Sequence, residues 1–82
     1  VQWEFTRTEQ FTAATTRHPM KITITLGAKR DGTLTAMRIH TISNTGAYGN
    51  HAGEVLASSL GSAMATYRCA NKQGTGYAVY TN

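Results

Sequence analysis

The sequence is poor in acid, in proline and in cysteine, and each shortage excludes something. Its one cysteine, Cys69, cannot close an internal disulfide, so nothing argues for an oxidising compartment and a cytoplasmic setting is the default. A single proline among 82 residues, with 40% apolar and 15% charged side chains, excludes a proline-rich or disordered tract and describes a chain that folds. Four acidic residues against eight Lys and Arg leave a formal charge of +4. That charge reflects missing carboxylates as much as a basic patch, because the cations are spread from Arg7 to Lys72 without a run. No apolar stretch approaches the roughly 20 residues that a membrane-spanning helix needs. No signal-peptide pattern or initiator methionine opens the chain at Val1; the strand-like start suggests a piece cut from a longer polypeptide. The length bounds a single domain, 1–82, with one modest core.

Reactive constellations are missing as well. His18, His40 and His51 stand too far apart to suggest a metal site, and no second cysteine or paired carboxylate accompanies them. Nothing near Cys69 in sequence would lower its pKa, so it reads as a buried thiol rather than a nucleophile. The four carboxylates Glu4, Glu9, Asp31 and Glu54 are too scattered to divide acid and base roles. Gly74-Thr75-Gly76 leads toward a strand rather than a helix, which is the wrong context for a phosphate cradle and reads as a turn. No catalytic, cofactor-binding or metal-ligating residue follows from these patterns.

What is present is clear periodicity. Val1, Trp3 and Phe5 alternate with polar residues, the period of a strand with one buried face. Thr6 and Glu9 have the spacing of a capping box for a short helix, which His18-Pro19 would end. Ile22, Ile24 and Leu26 alternate again, and Lys29-Arg30-Asp31-Gly32 supplies the turn of a hairpin. In the second arm Leu34 and Ala36 share one parity and Met37 and Ile39 the other, so either a bulge shifts the register or both faces are covered. Ser43 to Glu54, rich in Gly and Asn, is a strand-to-helix junction that either aims groups into a site or merely turns the chain. After Asn50, a candidate N-cap, Leu56, Leu60, Ala63 and Met64 form a helical stripe. The opposite side carries Glu54, Ser58, Gly61 and Ser62, small enough for something to pack very close. Ala70 to Gly76 reads as a loop and Tyr77–Tyr80 as a last strand. The expected architecture is α+β: a two-layer sandwich in β-α-β-β-α-β order, with a mainly antiparallel sheet, one main helix and one short helix.

That order, the positive charge and the aromatics of Gln73-Gly-Thr-Gly-Tyr-Ala-Val-Tyr80 fit loosely a small RNA-recognition-like module binding single-stranded nucleic acid. Against it, the basic residue expected at the start is Gln73, Thr75 stands where an aromatic should stack, and the motif falls on the fourth strand instead of the third.

A more extensive match runs through Arg17-His18-Pro19, Gly27, Asp31-Gly32-Thr33-Leu34, Ser43-Asn44-Thr45-Gly46-Ala47-Tyr48, Tyr67-Arg68-Cys69-Ala70-Asn71 and Gly76–Asn82. Together, and in this order, they resemble an interior stretch of the molybdopterin-binding large subunit of the molybdenum hydroxylases, the xanthine dehydrogenase and aldehyde oxidase family. The resemblance implies a parent oxidoreductase that hydroxylates an aldehyde or N-heteroaromatic ring with oxygen from water, using a molybdopterin cofactor. It implies as partners the rest of that subunit, iron–sulfur and flavin subunits or domains, and a small-molecule substrate, with no nucleic acid and no membrane. The family's cofactor-contacting loops and its catalytic glutamate have no counterpart in these residues, so no independent activity is expected of them. In the purine-oxidising members an arginine that binds substrate matches Ser58, and a channel-lining apolar residue matches His51. The resemblance therefore makes His51, Val55 and Ser58 candidates for lining a substrate channel, Ser58 equally a site of close packing, and disfavours a purine substrate.

Overall fold

The computed structural model describes all of Val1–Asn82. Its elements are α1 (Arg7–Ala13), β1 (Met20–Ala28), β2 (Leu34–Gly46), α2 (Ala52–Thr66) and β3 (Asn71–Tyr80). The α+β class, with one main and one short helix, is as the sequence implies. The strands differ: there are three, in the order β1-β2-β3. β1 is antiparallel to β2 and β3 runs parallel to it, so the sheet is mixed.

Val1–Thr6 pairs with nothing, although it alternates as a strand should. Backbone donors need a neighbouring strand, and no strand of this chain lies beside them. Trp3 and Phe5 instead meet edge to face at 6.2 Å. At the start of α1 the capping box forms as its spacing predicts: the Thr6 hydroxyl accepts from the Glu9 N–H, and the Glu9 carboxylate accepts from the Thr6 N–H. The helix buries none of its residues and packs against no other element.

The hairpin turn closes at Lys29–Gly32, where Gly32 takes φ +89°. The Thr33 N–H donates to Asp31 Oδ1 at 3.0 Å, and chiefly for that reason the Asp31 carboxyl sits below the ordinary carboxylate range. Between the two arms Gly27 pairs with Ala36 but Ala28 with Leu34, leaving Thr35 as an extra residue. This bulge resolves the parity of β2. Leu34 swings onto the face of Met37 and Ile39, and the three line one groove. A Cβ on Gly27 would stand 2.9 Å from Thr35 Oγ1, so the glycine makes room for the bulged side chain.

β2 is the central strand, and its Met37, Ile39, Thr41 and Ser43 are buried. α2 lies over β2 and β3. Gly74 and Gly76 are its seat. A Cβ on Gly74 would stand 2.8 Å from Met64 Sδ, and one on Gly76 would stand 2.9 Å from Leu60 Cδ1. The loop expected over Ala70–Gly76 is thus strand from Asn71 on, and its glycines serve close helix approach rather than a turn. The RNA-recognition order does not form either: the motif at Gln73–Tyr80 lies on an edge strand parallel to its neighbour.

Candidate functional site

The carboxyl ends of β2 and β3 lie side by side, and α2, which connects them, begins there. In parallel βαβ units this is where ligands bind, because strand ends and the following turns leave backbone groups free. The sequence builds the place with polar locks. Asn44 Oδ1 accepts from the Gly46 N–H at 2.9 Å and from the Thr81 hydroxyl. Thr45 donates its hydroxyl to the Val79 carbonyl at 3.1 Å, and the Thr81 N–H reaches the Gly46 carbonyl at 3.1 Å. Positive φ at Gly46 (+69°), Gly49 (+70°) and Asn50 (+27°) folds the chain back into α2. The Tyr80 ring closes on Gly49, where a Cβ would come within 2.8 Å of it. From the other side the Asn50 amide donates to Thr15 Oγ1 at 3.1 Å, and the Asn44 N–H donates to the Pro19 carbonyl at 2.9 Å.

The result is an open cleft of about 400 Å³ walled by segments 14–19, 44–50 and 81–82. Most of its lining is polar, and one buried polar atom of that lining, His18 Nδ1, has no hydrogen-bond partner. Sequence reasoning singles out the junction but misses Thr15, Thr16 and Thr81 as walls. They are brought to it by tertiary hydrogen bonds, Asn50 to Thr15 and Thr81 to Asn44 and Gly46, which no local pattern announces.

The three channel candidates lie elsewhere. His51 is the N-cap of α2 in place of Asn50, whose amide is engaged with Thr15; it makes no side-chain cap bond. Its Nδ1 lies 3.1 Å from Glu54 Oε2, with both side chains exposed. Val55 is half-buried and Ser58 exposed. At i, i+4 and i+7 the three share one flank of α2, nearly half a turn round from the sheet-facing stripe. None of them lines the cleft. Cys69 is remote from all of this, just before β3, donating to the Asn71 carbonyl at 3.3 Å. No group of three His, Cys, Asp or Glu side chains is placed to hold a metal ion.

A βαβ unit with a polar cleft at its strand ends defines the class: a small α+β domain with a mixed sheet. Residues 1–82 match throughout the family described as the molybdopterin cofactor-binding domain. The chain is 44% identical over 71 residues to the probable hypoxanthine oxidase XdhD of Escherichia coli K12, a match that covers 87% of this chain and 7% of that protein. Over 77 residues it is 40% identical to a probable xanthine dehydrogenase subunit of Bacillus subtilis, covering 94% of this chain and 10% of that one. Over 76 residues it is 33% identical to the nicotinate dehydrogenase large molybdopterin subunit of Eubacterium barkeri, covering 93% and 18%. No solved structure matches it. The chain belongs to the molybdopterin cofactor-binding domain family of the xanthine dehydrogenase-type molybdenum hydroxylases. It spans between 7% and 18% of the length of these relatives.

The cofactor of that family is an anionic pterin phosphate with two thiolate sulfurs, and a site for it needs converging donors or cations. The cleft has the free His18 Nδ1 but only Arg17 as a fixed cation. Glu54 places a carboxylate in the first turn of α2, where an anion would otherwise be drawn. The cleft is also open to solvent. The residues lining the cleft therefore do not by themselves fit the cofactor.

Proposed function

We propose that residues 1–82 form a single α+β unit serving as scaffold and substrate-channel wall in a cytoplasmic molybdenum-dependent oxidoreductase. That parent enzyme hydroxylates an aldehyde or an N-heteroaromatic ring, takes its oxygen from water, and works with iron–sulfur and flavin partners. The observation that carries the reading is the flank of α2 that presents exposed His51 and Ser58 with half-buried Val55 between them, in a chain that matches the molybdopterin family throughout. Such a flank admits a flat ring close to the helix backbone. The relatives' names, hypoxanthine, xanthine and nicotinate, favour N-heteroaromatic rings over aldehydes.

Within that class Ser58 disfavours a purine held from this helix. A guanidinium offers a planar, charged pair of donors to a ring oxygen, and a serine hydroxyl offers one neutral donor. Ser58→Arg in the intact enzyme is expected to raise kcat/KM for hypoxanthine relative to nicotinate by about tenfold or more, the scale of one charge-assisted hydrogen bond. Molybdenum content should stay unchanged. Loss of molybdenum with the substrate ratio unmoved would mean that this flank only packs.

A further inference from the structure

α2 covers two of the three strands. Ile22, Ile24 and Leu26 of β1 pair with Thr41, Ile39 and Met37, so they stand on the face where β2 is buried under the helix. Yet they are 52%, 56% and 54% exposed. Between this strip and α2 runs a groove of about 570 Å³ lined by Leu34, Met37, Ile39, Ala63, Thr66 and Tyr67 among others. A helix is about 10 Å across and strands lie about 4.8 Å apart, so one helix covers two strands and leaves the third bare.

We propose that this groove seats a second amphipathic helix from another part of the same subunit's polypeptide, lying beside α2; the inference rests on the scaffold reading above. The shape selects a helix. An occupant must pack down on β1 and sideways on α2, and a second sheet laid on that face would collide with α2, which already stands there. Ala63 and Thr66, the residues of α2 that line the groove, are small enough for a neighbouring helix to approach closely. The same polypeptide is the natural source, because this chain makes up 18% or less of its relatives' length. Charge gives the direction. Arg68 borders the groove's end beside Gly32 and Tyr67, and Lys29 and Arg30 lie in the adjoining turn. The one carboxylate there, Asp31, is engaged by the Thr33 N–H. That cationic end suits the negative, C-terminal end of the incoming helix, which would then run parallel to α2.

The test uses the intact, molybdenum-loaded enzyme. Ile24→Cys should react with a maleimide about tenfold or more slowly than the same variant in denaturant, as a site removed from water does. A photoreactive benzoylphenylalanine replacing Leu26 should cross-link to a segment of the same polypeptide whose apolar residues recur at helical spacing. Cross-linking to another subunit, to a second copy or to a segment of alternating period would overturn the proposal. So would labelling of Ile24→Cys at its denatured rate in an enzyme that still turns over, a result that leaves the channel reading standing.

Discussion

Gly49→Val is expected to destabilise the intact enzyme more than any other single change near the cleft. Two penalties fall on one residue. Gly49 sits at φ +70°, a conformation that a β-branched side chain adopts at a cost of about 1–3 kcal/mol. Its Cβ would also lie 2.8 Å from both Cε1 and Oη of Tyr80, overpacking that costs about 1–3 kcal/mol more. Set against a typical domain stability of about 5–15 kcal/mol, the sum is large. Thr81 is tied to Gly46 and Asn44, which holds the backbone beside the ring, while the ring itself is 70% exposed, so the backbone part of the loss is the larger. Thermal unfolding of the enzyme reads the loss. Tyr80→Ala in the Gly49→Val background should recover the steric part and leave the backbone part, so the two changes should not add. Unfolding of Gly49→Val at the wild-type temperature would show that the ring does not close this turn.

Gly76→Val is the second large effect, acting on the seat of α2. A Cβ there would stand 2.9 Å from Leu60 Cδ1 and 3.0 Å from both methyls of Leu56. Two branched side chains on adjacent turns must move together, which lifts the helix from β3 at a cost of about 1–3 kcal/mol. Gly74→Ala is the internal comparison. Its nearest neighbours are Met64 Sδ at 2.8 Å and Cε at 3.4 Å, the end of an unbranched chain that can rotate aside, so the loss should stay below about 1 kcal/mol. Denaturant unfolding of the two variants should rank Gly76→Val well below Gly74→Ala. The reverse order would mean that α2 does not rest on β3 through Leu56 and Leu60.

These glycines also show where the sequence is legible and where it is not. Local rules are visible: Thr6 with Glu9 specifies a capping box, Asp31-Gly32 a hairpin turn, and the Leu56 to Met64 stripe a helix, because each depends on residues a few positions apart. Gly74-Thr75-Gly76 misleads because a glycine needed for close helix approach is written the same way as one needed for a turn. The mixed sheet is hidden for a related reason. Whether β3 runs parallel or antiparallel to β2 depends on how α2 packs back onto the sheet, and both directions share one alternation. Val1, Trp3 and Phe5 carry a strand's period without a strand's partner, so the pattern overstates the element. The cleft is legible only at Ser43–Asn50. Its other walls come from Thr15–Pro19 and Thr81–Asn82, brought together by hydrogen bonds such as Asn50 to Thr15 that no spacing announces.

Whether the α2 flank faces substrate is most directly read by chemical protection of Ser58→Cys in the intact, molybdenum-loaded enzyme. A small thiol reagent should modify this variant and abolish turnover, and saturating substrate should slow the modification about tenfold or more. Modification at the same rate with and without substrate, in an enzyme that keeps its turnover, would contradict the assignment of this helix to the channel.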